Sequence, residues 1–171
     1  RGIPVIVFER KTSSQKHTAF ISADNYEMGR VMGEYIVSRL HGEGTVLEIK
    51  GLEGPSPAIE RHNGFMDAVK DAPGTEVVAS LQGNWTEESA FEATKKWLAD
   101  NPHTPIDYVF GHNDRMAMGA RKAVANSSFF TLHSSFPKYC GIDGLPGENG
   151  GIQLVRDKIK AIDAENAKQD S

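Results

Sequence analysis

The sequence predicts an α/β fold, a parallel sheet flanked by helices. Short apolar segments rich in β-branched residues alternate with longer segments whose apolar residues recur at helical spacing. Hydrophobic residues make up 39% and charged residues 25% of 171, ordinary globular usage that excludes global disorder. The order is a strand followed by repeated helix–strand units, with no long linker and no low-complexity segment.

Ile3–Phe8 (IPVIVF) is a continuous apolar run bounded by turn residues, which predicts a strand buried on both faces. Thr18–Ile21 is a second short strand. Asp24, with Glu27 three residues on, forms a capping-box pattern. Met28, Val31, Met32, Tyr35, Ile36 and Leu40 supply the apolar stripe of the helix that follows, and Gly42 stops it. Thr45–Ile49 (TVLEI) is the next strand and Gly51–Pro57 a loop. Ser56 is the expected cap and Pro57 the expected first residue of a helix whose stripe is Ile59, Met66 and Val69. Val77–Leu81 is a strand. Thr86 caps a helix with Ala90, Ala93, Trp97 and Leu98 inward, ended at Asp100-Asn101-Pro102. Ile106–Phe110 is a strand, and Asp114 is the expected cap of the helix Arg115–Val124. Tyr139–Ile142 is the last strand. Asp143–Gly151 is a glycine-rich loop and Ile152–Lys158 is helical.

Charge and composition narrow the function. Lys+Arg is 19 and Asp+Glu is 23, a net charge of −4, and no segment is richly basic; nucleic-acid binding by this segment is not expected. No apolar run approaches the length that spans a bilayer. The single cysteine, Cys140, excludes an internal disulfide and a cysteine zinc cluster; it falls in a strand and is expected to be a buried, inert thiol. The six histidines show no metal-ligand spacing, and no cofactor or metal is implied. No Gly-x-Ser-x-Gly elbow occurs, and no serine or cysteine nucleophile pairs with a base.

In open parallel sheets, ligands bind beyond the carboxyl ends of the strands. Those positions hold Glu9 and Arg10, Glu53 and Ser56, Asn84 and Trp85, His112, Asn113 and Asp114, and Asp143. Carboxylates, an amide and a guanidinium suit the hydroxyls of a neutral polyol, and an indole covers the C–H face of a sugar ring. Each also has a plainer role. Glu9 and Arg10 can be a surface ion pair, Asp114 a helix cap, Trp85 a cover for the sheet end and Asp143 a turn residue. His112 is placed to orient Asn113. Gly51-x-x-Gly54 lies where a phosphate loop would, without the third glycine of a dinucleotide fingerprint or the Gly-Lys-Ser/Thr of a P-loop.

Gly2–Arg10, Ala23-Asp24-Asn25 with Met28-Gly29, Gly51-Leu52-Glu53-Gly54, Glu60-Arg61-x-x-Gly64-Phe65, Asn113–Ala120 and Gly141–Gly144 occur in the order found in one known family. The chain resembles the type I periplasmic sugar-binding proteins, the ribose-binding and lactose-repressor-like group. That resemblance implies two lobes that close on a sugar. It places Glu9 and Arg10 where the family carries an Asp-Arg sugar contact, Trp85 on an aromatic that packs on the ring, and Asn113 and Asp143 on hydrogen-bonding positions. A further contact arginine of ribose binders would fall on Ile59, with Arg61 two residues away. The segments Ser56–His62, His112–Met116 and Leu145–Gln153 are similar to the periplasmic sensor domain of hybrid two-component histidine kinases.

By the same resemblance residues 1–23 are the end of a first lobe and the hinge, residues 24–158 are the second lobe, and residues 159–171 are a tail that resembles a first-lobe strand. The first lobe is therefore expected to be incomplete. The opening residues read as the middle of a fold rather than the start of a gene. The implied function is sensing a small sugar in the periplasm without enzymatic chemistry in this segment. Any membrane contact would come through flanking segments, and a homodimer is compatible with it. The rivals are a free binding protein of a sugar ABC transporter, the effector domain of a repressor, and a nucleotide-dependent protein using Gly51–Ser56.

Overall fold

The structure is a computed structural model and describes residues 2–132, 135–147 and 150–158. In chain order its elements are β1 (Ile6–Phe8), β2 (Ala19–Ile21), α1 (Asn25–Arg39), β3 (Glu43–Lys50), α2 (Ser56–Lys70), β4 (Gly74–Gln82), α3 (Glu87–Asp100), β5 (Tyr108–Gly111), α4 (Asp114–Ala125), α5 (Phe129–Leu132) and β6 (Lys138–Cys140). Residues 151–158 form a last helix, α6. The tail expected from 159 onward lies outside the described residues.

Strands β4, β3, β5 and β6 lie side by side in that order, all parallel, as the sequence predicts. The two-residue period of a strand sorts the core into two layers. Leu47, Ile49 and Val109 face Ala90, Leu98, Met116, Ala120 and Val124 of α3 and α4. Val46, Tyr108 and Phe110 point to the other side, against Ile36 of α1 and Phe65 and Val69 of α2. The Phe65 and Phe110 rings pack 4.9 Å apart.

Helices α1 and α2 meet through glycine. A Cβ on Gly29 would lie 2.0 Å from the Arg61 carbonyl oxygen, and one on Gly64 would lie 2.0 Å from that of Tyr26. The backbones therefore touch, which only a residue without a side chain allows. The expected stripes hold in part: Ile36 of α1 and Val69 of α2 are buried in the core with Met32 and Leu40 packed against it, whereas Val31 and Tyr35 of α1, and Ile59 and Met66 of α2, are exposed.

Asp24 caps α1 by accepting the Glu27 N–H, but the Glu27 carboxylate pairs with Arg30 instead of completing a capping box. Thr86 caps α3 through the Ser89 N–H as expected. The caps of α2 and α4 differ from expectation by one residue. Pro55 holds the cap position of α2 without a side-chain bond, and Ser56 is helical, its hydroxyl accepting the Lys11 N–H. Asn113, not Asp114, caps α4. Asn and Asp cap equally well, so composition cannot fix the register there.

Strands β1 and β2 form a separate two-stranded parallel sheet. The expected double burial of the first strand is not observed: Ile6 is 62% and Phe8 73% exposed. Two strands alone cannot cover their own faces, whatever their apolar content.

The sheet order positions the site. From β3 the chain adds β4 on one side and then β5 on the other, so the topology reverses between β3 and β5. The crevice for a ligand lies beyond the carboxyl ends of those two strands.

Candidate functional site

Arg61, on the first turns of α2, sits at this crevice with its side chain only 12% exposed. Its Nε donates to Asn25 Oδ1 at 2.9 Å, and its Nη1 donates to the His112 carbonyl. Its guanidinium carbon lies 5.5 Å from the centre of the Trp85 ring, and Nη1 lies 4.0 Å from Asp143 Oδ1. Burial pulls the Arg61 pKa down, and the carboxylates of Asp143 and Glu9 oppose that. Burial likewise pushes the Asp143 carboxyl up, while Arg61 lowers it and Asp114 and Glu9 raise it. One arginine thus links α1, α2, the loop after β4, the loop after β5 and the loop after β6.

Of the five residues predicted to hold a ligand, Trp85, Asn113 and Asp143 are brought together. Trp85 lies flat on Gly51, where a Cβ would come within 2.1 Å of the indole. Asn113 Oδ1 accepts the Met116 N–H at 2.8 Å, and its Nδ2 donates to the Trp85 carbonyl at 3.2 Å. The same amide therefore caps α4 and ties two loops of the crevice. It keeps a second N–H and a second lone pair for a ligand. Asp143 projects beside Arg61 from the loop after β6.

Glu9 and Arg10 approach from the other sheet. The Lys11 N–H bonds Ser56 Oγ at 2.9 Å and the Lys11 ammonium pairs with Glu60, so this segment is fastened to the start of α2. Glu9 lies near enough to act electrostatically on both Arg61 and Asp143. Arg10 Nε stands 3.9 Å from Glu9 Oε1, and both side chains are more than half exposed. That is a loose surface pair in which Arg10 stays open to solvent.

Glu9, Trp85 and Asp143 share an unusual backbone. Their φ angles are 67°, 66° and 107°, a region that non-glycine residues seldom adopt. Such conformations persist where surrounding contacts impose them, and they gather at ligand sites.

Asp114 serves neither as cap nor at the crevice surface. Its Oδ2 accepts the Leu145 N–H at 2.7 Å, and its backbone N–H bonds the Ile142 carbonyl, so it secures the loop that carries Asp143. His112 does not orient the Asn113 side chain. Its ring turns inward, where Nε2 meets Glu48 Oε1 at 2.9 Å and Nδ1 meets the Gly51 nitrogen at 3.3 Å. Glu48 also receives His62 Nδ1, 2.9 Å from Oε2, and the Ser80 hydroxyl. Burial would raise the Glu48 pKa. The hydrogen bonds from His112, His62 and Ser80 outweigh it and hold the carboxyl down at about 2. Burial holds the His112 pKa below its usual value against the pull of Glu48.

Arg61 and Glu48 are the functional-site residues that sequence reasoning left out of the ligand set. Glu48 had a visible mark: a carboxylate inside the apolar strand TVLEI needs a partner if that strand is buried. Cys140 lies in β6 as expected but is only partly buried; its thiol is pushed up to about 12 by burial. Among the described residues no group of three or more His, Cys, Asp and Glu side chains is placed to hold a metal ion, and no helix is long and apolar enough to cross a membrane. A cavity of about 560 Å³ lies between α3, α4 and α5, away from the crevice.

A family model described as the periplasmic binding protein domain matches residues 1–163. The ribose import binding protein RbsB of Escherichia coli K12 is 33% identical over 146 residues, 85% of this chain and 46% of that protein. The galactofuranose-binding protein YtfQ of the same organism is 32% identical over 127 residues, 71% of this chain and 40% of that protein. Among solved structures, the fructose-binding periplasmic domain of a hybrid two-component system superposes with a TM-score of 0.82 at 41% identity, covering 92% of this chain and 51% of that one. A Caulobacter myo-inositol binding protein bound to myo-inositol gives 0.76 at 30% identity, covering 85% of this chain and 49% of the other. The chain thus spans about half the length of the relatives it matches.

Proposed function

This chain belongs to the periplasmic binding protein family, periplasmic as the sequence led us to expect, and from that premise we propose that it binds a small neutral sugar. The sugar would lie on the shelf beyond β3 and β5. Trp85 covers its C–H face, Asn113 and Asp143 bond its hydroxyls, and Glu9 and Arg10 close on it from the β1–β2 side. The observation that carries this reading is the convergence of Trp85, Asn113 and Asp143 around Arg61. Residues 1–23 are then the end of one lobe with its hinge and 24–158 the other lobe, consistent with the separate β1–β2 sheet. Contacts made only when the lobes meet would shift the balance between open and closed states.

The likeness to a two-component sensor domain at 41% identity favours a sensor that reports the sugar to a kinase through segments outside this chain. The import binding proteins among the relatives support a second reading, a carrier for an ABC transporter. A transmembrane segment and kinase motifs in the same polypeptide decide for the sensor, and their absence from the intact polypeptide for the carrier.

Intrinsic tryptophan fluorescence, titrated with D-fructose, D-ribose, D-galactose and myo-inositol, tests the binding reading, with ATP and NAD as controls. Saturable response to one polyol, abolished in Asn113→Ala, supports it. Response to the nucleotides alone refutes it.

A further inference from the structure

We propose that Glu48 and His112 form a positioning pair beneath the sugar shelf, in which Glu48 holds the His112 ring so that its Nδ1 fixes the Gly51 N–H while the His112 backbone carbonyl receives Arg61. The inference rests on the sugar-binding reading above.

The geometry assigns the ring's protons. The Gly51 backbone N–H can only donate, so the Nδ1 it meets at 3.3 Å carries no hydrogen. The ionised Glu48 can only accept, so the Nε2 it meets at 2.9 Å carries the hydrogen. His112 is therefore neutral, and both nitrogens are used. Its own carbonyl accepts from Arg61. Gly51 in turn carries the Trp85 ring, and Arg61 stands between Trp85 and Asp143. The buried ring thus holds Gly51 and, through it, Trp85, while the backbone carbonyl of the same residue anchors Arg61.

Glu48 is completed by His62 of α2 and Ser80 of β4, which take its other lone pairs. The charged and titratable groups acting on His112 are Glu48 from β3 and Arg61 and His62 from α2; the Phe110 and Trp85 rings beside it are neutral. A second proton on His112 would land on Nδ1 and expel the Gly51 N–H. Sugar affinity is then lost in acid through His112, and Glu48 sets the pH at which this happens. Removing the carboxylate's charge moves that pH downward, because the anion favours the protonated ring.

Two measurements on the full chain test this. The first needs no ligand. Ring-nitrogen NMR of histidine-labelled protein, with His112 identified by its loss in His112→Gln, should show a hydrogen on Nε2 and none on Nδ1 at neutral pH. His112 should titrate at lower pH in Glu48→Gln than in the native chain. The opposite tautomer, or an unmoved titration, overturns the proposal.

The second is calorimetry with D-fructose across the acid range. The native chain should weaken by at least about fivefold as His112 protonates, the scale of one lost buried hydrogen bond. His112→Gln offers the same donor and acceptor and should bind well at neutral pH with the acid loss abolished, whereas His62→Gln should keep it. An acid loss unchanged in His112→Gln overturns the proposal. If the native chain binds no D-fructose, the choice of sugar has failed, and the NMR result decides the positioning pair alone.

Discussion

Gly51→Ala is a steric test of the shelf. Gly51 does not occupy a left-handed conformation, so alanine adds a methyl group without backbone strain. That methyl would stand 2.1 Å, 2.2 Å and 2.4 Å from Cζ2, Cη2 and Cε2 of Trp85. Carbon atoms rest at about 3.5 Å, so the indole must retreat by about 1.4 Å. The three nearest obstacles to the methyl all belong to one side chain, and the protein should still fold. Overpacking costs about 1–3 kcal/mol, which outweighs the gain of about 0.4–1 kcal/mol from stiffening the unfolded chain. Losing the ring contact with a sugar costs about 1 kcal/mol more, about fivefold in affinity. Urea denaturation reads the first loss and calorimetry with D-fructose the second. A Gly51→Ala protein with native midpoint and native affinity would refute the packing of Trp85 on Gly51 and its place under the sugar.

Asn113→Ala should lower sugar affinity at least about tenfold and destabilise the chain by about 1 kcal/mol through the lost α4 cap; Asn113→Asp keeps the cap acceptor but loses the donor to the Trp85 carbonyl, so it should recover only part of the stability. Gly64→Ala should destabilise by about 1–3 kcal/mol or more, because its methyl meets the Tyr26 backbone rather than a movable side chain; affinity of the folded fraction should be unchanged. Acidification should lower the melting temperature in two stages. The His112 pKa is lowered, so the unfolded chain takes up that proton first and stability falls as the pH drops below 6.5. Glu48 is held down at about 2, so its contribution is full above 4.5 and lost as the pH falls from there toward 2. A melting temperature flat from neutral pH to about 2 would contradict both.

The alternation of apolar segments was enough to read the parallel sheet and the edge where chemistry gathers. What escaped the sequence depended on partners. The first strand is as apolar as a core strand, but burial is a property of neighbours, and Ile6 and Phe8 have too few. The stripes assigned to α1 and α2 were right only in part: Ile36 and Val69 pack in the core, but Gly29 and Gly64 make the backbone contact between the helices and Val31, Tyr35, Ile59 and Met66 stay exposed. Trp85, Asn113 and Asp143 were legible as candidates because each lies within three residues after a strand end. Arg61 was named only through the family resemblance, two residues from a contact position, because it reaches the crevice from inside a helix and its partners come from distant segments. Glu48 was legible only as a question, since His62 and His112 lie 14 and 64 residues away.

Hydrogen exchange of the full chain with and without a saturating polyol locates the site most directly. We expect slowed exchange in the backbone around Gly51, Trp85, Asn113 and Asp143, the four loops joined by Arg61 and His112. Slowed exchange confined instead to α3, α4 and α5 around their cavity would place the ligand elsewhere and contradict the shelf.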